Sequence, residues 1–172
     1  MADPANLAQN PFALLSLIAA PAVLTNSASV LALSTSNRFL RASERLRGLT
    51  AKYQESMPEE PRVLLLKQLR RVELQARLLL NGLRSAYVAI GSFVSASLIS
   101  ILGAGVAASP YHAAFGFFAA LALGVGVVGA GGMVWASFNL LRATRLAMLN
   151  MSDEAELIYA RDKAGAPAAP VG

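Results

Sequence analysis

The chain has 172 residues, enough for one ordinary domain. Hydrophobic residues make up 55% of it and charged residues only 15%, and the mean hydropathy is +0.50, so the composition argues against a soluble enzyme. The sequence contains no cysteine and one histidine. This excludes disulfides, thiolate catalysis, zinc–thiolate and iron–sulfur centres, and any site built from several histidines. We expect no catalytic site, no metal and no cofactor.

The charged residues are distributed very unevenly along the chain. All fifteen Lys and Arg residues lie in two blocks, 38–84 and 142–163. Residues 1–37 contain no basic residue, and residues 85–141 contain no charged side chain at all. Because one bilayer crossing needs about 20 residues, the stretch 85–141 is long enough for two crossings joined by a short turn. The positive-inside rule then places both basic blocks in the cytoplasm and the N-terminus outside.

These features predict an all-α integral membrane protein with three transmembrane helices, of which helices 1 and 2 extend into a cytoplasmic antiparallel helical hairpin. The predicted segments, in chain order, are an outside N-terminal segment (1–11), transmembrane helix 1 (12–37), the cytoplasmic helical hairpin (38–84), transmembrane helix 2 (85–107), an outside turn (108–112), transmembrane helix 3 (113–141), a cytoplasmic tail helix (142–163) and a disordered tail (164–172).

Apolar residues within the predicted hairpin recur in steps of three and four, as in a coiled coil. On the first arm these are Phe39, Ala42, Leu46, Leu49 and Tyr53, and on the second arm Leu65, Leu69, Val72, Ala76, Leu79 and Leu83. The two runs are separated by residues 56–61, which contain two prolines and two glutamates and are typical of a turn followed by a helix start. The pattern predicts an intramolecular pair of helices. Additional leucines on the second arm leave open a seam that also joins copies of the chain.

The cytoplasmic end of the first predicted span is more polar than a lipid-facing helix requires. Its candidate site residues are Thr25, Asn26, Ser29, Ser36 and Asn37. Two interpretations remain open at this stage. The polar groups could hydrogen-bond to neighbouring helices, or they could line a water-filled path. In the second case Arg38, Arg41 and Arg45 would stand at the cytoplasmic mouth of that path.

Small residues recur at intervals of four in the other two predicted spans and permit close approach of helices. They are Ser92, Ala96, Ser100 and Ala104 in the second span, and Ala122, Gly126 and Ala130 in the third. They predict close packing between these two spans, with contact between copies of the chain as the alternative.

Residues 124–129 also fit the G-x-G-x-x-G pattern, but no strand precedes them and they lie inside an uncharged span, which excludes a dinucleotide site.

The basic block 38–84 contains no nucleic-acid-reading motif, so nucleic acid is not an expected partner. The lipid bilayer itself, with anionic lipid headgroups at the cytoplasmic face, accounts for the block more simply. Self-association is the other expected interaction.

The first span and the residues after it resemble a known family. The residues that carry the resemblance are Asn10-Pro11-Phe12, the run from Leu15 to Ala22, Leu24-Thr25-Asn26, the run from Ser29 to Arg38, and Arg41, Arg45 and Arg47. They are similar to a bacterial membrane-protein family known as domain-of-unknown-function family 2721. The resemblance implies a small multi-pass protein of the bacterial inner (plasma) membrane, with three spans, the N-terminus outside and the C-terminus in the cytoplasm. It implies no activity, substrate or cofactor.

Two functions fit these observations. The first is a homo-oligomer that forms a channel-like or permeation structure lined by the polar face of helix 1. The alternative is a non-conducting membrane scaffold whose cytoplasmic hairpin docks a partner. An enzyme is not expected, because no acid, base or metal-ligand constellation is present.

Overall fold

The computed structural model describes residues 11–54, 59–107 and 114–163, and its elements are three long helices: α1 (Pro11–Gln54), α2 (Glu59–Ala107) and α3 (Phe115–Lys163). The predicted outside turn and the predicted disordered tail lie outside the described residues. So do residues 1–10 and residues 55–58.

Each helix is much longer than a bilayer requires. The three contain 44, 49 and 49 residues, and at about 1.5 Å per residue each exceeds the roughly 30 Å hydrocarbon core about twofold. None of the helices breaks where a predicted span meets a charged block. Pro21 is the one proline inside α1, and Pro61 stands in the first turn of α2, where its missing N–H is not needed.

Helix α2 lies between the other two and packs against both, whereas α1 and α3 make few contacts with each other. The α1–α2 contacts run antiparallel. Ala28 of α1 packs with Ala89 and Phe93, and fourteen residues later Ala42 packs with Ala76 and Leu79. Residues further along α1 thus contact residues earlier in α2.

The core consists of three small clusters spaced along α2, and alanine dominates each of them. The fully or nearly buried residues of these clusters are Ala28, Ala32, Ala42, Ala76, Leu79, Ala86, Ala89, Phe93, Ala136 and Ala143. Small side chains let helix backbones approach closely, which is how helices associate where the surrounding solvent is as apolar as the side chains. Packing contacts therefore continue from the uncharged part of the helices into the charged part.

Two glycines of α3 mark its closest approach to α2. A Cβ atom at Gly129 would lie 2.7 Å from Cε1 of Phe93, and one at Gly132 would lie 3.1 Å from the carbonyl oxygen of Ser85. Gly126, which the small-residue pattern placed in this contact, has no atom within 4 Å of its Cβ position, and Ala130 is exposed. The close approach is thus at Gly129 and Gly132, and of the three predicted residues only Ala122 is buried.

Two of the three helices contain segments long and apolar enough to cross a membrane, judged by length and composition: Leu65–Val106 in α2 and Phe115–Ser152 in α3. Only 28% of the apolar window of the first segment and 11% of that of the second is buried within the protein. A core helix of a soluble protein would bury most of such a window. Large side chains such as Val134, Trp135 and Leu123 are instead exposed.

Candidate functional site

The side of α1 that faces the rest of the protein is built from small residues. Ala28, Ala32, Thr35 and Ala42 are buried there, and they follow one another in steps of four, three and seven residues. With about 3.6 residues per turn, these steps trace a single stripe. This stripe fixes which polar residues of α1 point toward α2 and which point away from it.

Several hydroxyl groups of α1 bond to the backbone of their own helix. Thr25 Oγ1 donates to the carbonyl oxygen of Pro21 at 2.8 Å, and Ser29 Oγ donates to that of Thr25 at 2.9 Å. Thr35 Oγ1 donates to the carbonyl oxygen of Leu31 at 2.7 Å. A hydroxyl satisfied in this way needs no partner on another helix. Within the protomer these groups do not act as polar contacts between helices.

Asn26 differs from the hydroxyl residues because its amide is exposed, and no described residue forms a hydrogen bond with it. It precedes the buried Ala28 by two residues, about 200° around the helix, so it lies on the side of α1 that faces away from α2. Leu33 and Asn37 share that side and are exposed as well.

The structure divides the five predicted polar residues. Asn26, Ser29 and Asn37 are exposed, whereas Thr25 and Ser36 are half-buried. We refer to Asn26, Leu33 and Asn37 as the outer face of α1. Ser29 and Ser36 are seven residues apart and therefore lie on nearly the same side of α1, between the outer face and the side that faces α2.

Between α1 and α3, with α2 as its floor, lies a groove in two parts. The first part, here the apolar groove, has a volume of about 490 Å³ and lies near the start of both outer helices. Its walls include Ser16 and Leu24 of α1 and Ala122 and Val127 of α3, and its floor includes Phe93. The residues that line it include no charged side chain.

The second part, here the arginine groove, has a volume of about 280 Å³. It contains all three arginines that the sequence analysis placed at a cytoplasmic mouth, Arg38, Arg41 and Arg45. Arg38 Nη1 donates a hydrogen bond to Oγ1 of Thr144 on α3 at 3.3 Å, one of the few direct links between α1 and α3. Gln75 of α2 also lines this groove.

Four buried polar residues of the structure were not among the predicted site residues: Thr35, Ser100, Asn139 and Asn150. Asn139 Nδ2 donates to the carbonyl oxygen of Trp135 at 2.8 Å. Both polar atoms of the Asn150 side chain lack a hydrogen-bond partner among the described residues. The spacing of residues in the sequence could have predicted the burial of Asn139 and Asn150. Asn139 and Asn150 lie in steps of three and seven residues from the alanines 136 and 143 that contact α2.

Among the residues that the structure describes, no group of three or more His, Asp or Glu side chains could hold a metal ion.

Comparison with known proteins adds one finding. A family model described as "Protein of unknown function (DUF2721)" matches residues 18–151, and the chain belongs to this family. No curated protein and no solved structure shows a significant match.

Proposed function

We propose that this member of the DUF2721 family is a multi-pass membrane protein whose copies assemble around α1 into a channel-like structure. The observation that carries the proposal is the amide of Asn26. It is exposed, points away from α2, and finds no hydrogen-bond partner within the described part of the protomer. An amide left unpaired in hydrocarbon is costly. A second copy of the chain, or water held between several copies, removes that cost.

The proposed topology follows from the charges. All three helices cross the bilayer, the N-terminus lies outside, and the C-terminus lies in the cytoplasm of a bacterial cell, because the basic blocks 38–84 and 142–163 belong on the cytoplasmic side. The charged parts of α1 and α2 then form a cytoplasmic antiparallel hairpin. Its predicted apolar seam is supported by the burial of Ala42, Val72 and Leu79.

A permeation path in this proposal runs between copies of the chain, since one protomer offers none. Helix α2 lies between α1 and α3, and the larger groove of the described part has an apolar lining. Several copies arranged about an axis would instead surround it with the outer faces of α1. Asn26 would then stand within the path and Asn37 nearer its cytoplasmic end, with Arg41 one turn beyond Asn37.

The test is ion flux from the purified full-length protein in liposomes, with the mass of the oligomer measured in parallel. We expect K⁺ or Cl⁻ flux above empty vesicles from an oligomer. Asn26→Leu should abolish most of that flux by dewetting the path while the oligomer persists. Ser137→Leu is the matched control, because Ser137 is an exposed polar residue of α3 whose hydroxyl already bonds to Met133. Absence of flux for both ions from wild-type protein would contradict the proposal.

A second candidate is a non-conducting scaffold whose cytoplasmic hairpin docks a partner protein. The observation that favours it is the exposure of Val63, Leu66 and Leu74 on the charged part of α2, where the proposed topology places water. Exposed apolar residues outside the bilayer are typical of a protein contact. Wild-type protein without flux, together with a stable monomer, would favour this candidate.

A further inference from the structure

The arginine groove concentrates positive charge where the three helices meet. Arg38, Arg41 and Arg45 line it from α1, at spacings of three and four residues that place them on one side of that helix. The remaining lining residues are neutral, and no carboxylate is among them. Arg38 and Arg41 bring two guanidinium side chains to one cavity of about 280 Å³, and guanidinium is the side chain best suited to bind phosphate through paired N–H groups.

One of the guanidinium groups is held in place by the fold. The hydrogen bond from Arg38 Nη1 to Thr144 Oγ1, 3.3 Å long, ties it to α3 across the groove. This bond uses one of the five N–H donors that a guanidinium group carries. The other donors of Arg38 stay available to a ligand, and Gln75 adds an amide from α2.

The level of the groove along the helices points to the source of the anion. Arg38 is the first charged residue after the uncharged start of α1, and Thr144 lies between Arg142 and Arg145, with which the charged part of α3 begins. Arg38 and Arg45 are about 10 Å apart along the helix axis. The polar layer on each side of a bilayer is about 5–8 Å thick, so Arg38 and Arg41 lie at the depth of the lipid phosphates.

We propose that the arginine groove is a binding site for the phosphate group of an anionic phospholipid in the cytoplasmic leaflet. The inference rests on the topology given under the proposed function, which places this end of α1 at the cytoplasmic surface. Free phosphate shares the chemistry. A lipid is the better fit because Leu31 and Leu24 continue the same side of α1 toward the bilayer centre, at steps of seven residues from Arg38, and offer apolar surface to its chains.

The experiment measures binding of dioleoyl phosphatidylglycerol to the detergent-solubilised full-length protein by native mass spectrometry. Dioleoyl phosphatidylcholine and inorganic phosphate are the comparison ligands. Two variants test the groove. Arg41→Gln keeps the Arg38–Thr144 bond, and the double variant Arg38→Gln/Arg41→Gln removes both guanidinium groups. The matched control is Arg47→Gln, because Arg47 is exposed and lies nine residues from Arg38, on the opposite side of α1.

We expect phosphatidylglycerol to bind wild-type protein more tightly than either comparison ligand. Arg41→Gln should weaken that binding about tenfold, the double variant should weaken it further, and Arg47→Gln should change it less than about twofold. An equal loss in Arg47→Gln would overturn the site in favour of general charge attraction. Inorganic phosphate binding as tightly as the lipid would overturn the lipid as the source. Because this assay needs no ion flux, a protein that binds the lipid and conducts nothing would remove the channel proposal and leave the lipid site standing.

Discussion

At the residue scale, the polar side chains of α1 differ in which side of the helix they occupy, and therefore in whether they are buried. The polar stretch 25–37 stands out in the sequence, because hydroxyl and amide residues are rare in lipid-facing helices. It could not tell that Thr35 is buried and Asn26 exposed, since a helical period fixes which residues share a side but not which side meets the neighbouring helix. The position of α2 decides that, through contacts with Ala28 and Ala32.

Asn150 gives the residue-scale prediction, because its buried amide has no hydrogen-bond partner. A buried unpaired polar group costs about 1–3 kcal/mol. Asn150→Leu replaces it with a side chain also branched at Cγ and should raise the free energy of unfolding by about 1–2 kcal/mol, once the cost of its extra volume is subtracted. The measurement is denaturant or thermal unfolding in detergent.

The control for Asn150→Leu is Asn139→Leu, which removes a hydrogen bond that is made, from Nδ2 to the carbonyl oxygen of Trp135. This variant should not gain stability. A loss of stability in Asn150→Leu would contradict the prediction, because the amide would then contribute to stability rather than reduce it.

At the scale of elements, the sequence predicted the three long helices well, since length, charge blocks and apolar periodicity all pointed to them. It also predicted a small-residue contact between α2 and α3 through Ala122, Gly126 and Ala130. Ala122 is buried, but the close approach is at Gly129 and Gly132. Five glycines lie between residues 124 and 132, and several registers therefore look equivalent in the sequence. The ring of Phe93 packs against Gly129 and thereby selects one of them.

Gly129→Ala tests this contact. The added Cβ would lie 2.7 Å from Cε1 of Phe93, so the buried Phe93 ring, which borders the apolar groove, would have to shift. Overpacking of this kind costs about 1–3 kcal/mol, against a gain in helix propensity of about 1 kcal/mol. We expect a net loss of stability in thermal unfolding.

Gly124→Ala is the matched control for Gly129→Ala, because nothing lies within 4 Å of its Cβ position. It should be neutral or stabilising. If the two variants lose stability equally, the contact between Gly129 and Phe93 is not the feature that holds α2 and α3 together.

The seam between the charged parts of α1 and α2 gives a second element-scale prediction. Leu79 is 2% exposed and packs with Ala42, Ala76 and Ala143. Leu79→Asp would place a carboxylate in that cluster at a cost of several kcal/mol and should make residues 38–84 sensitive to protease without removing any helix from the membrane. Leu74→Asp introduces the same charge where the side chain is 48% exposed, and it should leave protease resistance unchanged. Equal resistance of both variants would contradict a packed seam.

At the scale of the whole molecule, composition alone predicted the broad class, and two of the helices are indeed long and apolar enough to cross a membrane. The sequence gives no direct indication of the two grooves, because they arise from the order of packing. Helix α2 contacts both neighbours while α1 and α3 stay largely apart, and the space between α1 and α3 is what the apolar and arginine grooves occupy.

The proposed topology is the first prediction at this scale. A reporter enzyme fused after Gly172 should be active only in the cytoplasm, and cysteines placed at Ala2 and Ser109 should react with an impermeant thiol reagent added outside intact cells. The excess of Lys and Arg in 38–84 and 142–163 is the reason. Reaction of the Ala2 position only after the membrane is permeabilised would contradict an outside N-terminus.

The central claim, that the outer face of α1 borders water inside an assembly, is tested most directly by cysteine labelling at Asn26 in the membrane. The native chain has no cysteine, so a single introduced thiol reports without background. Val134→Cys on α3 is the control, since that side chain is 71% exposed and should face lipid. We predict that Asn26→Cys reacts with a small charged thiol reagent while Val134→Cys does not. An unreactive Asn26→Cys, at equal expression and membrane insertion, would contradict a water path along α1.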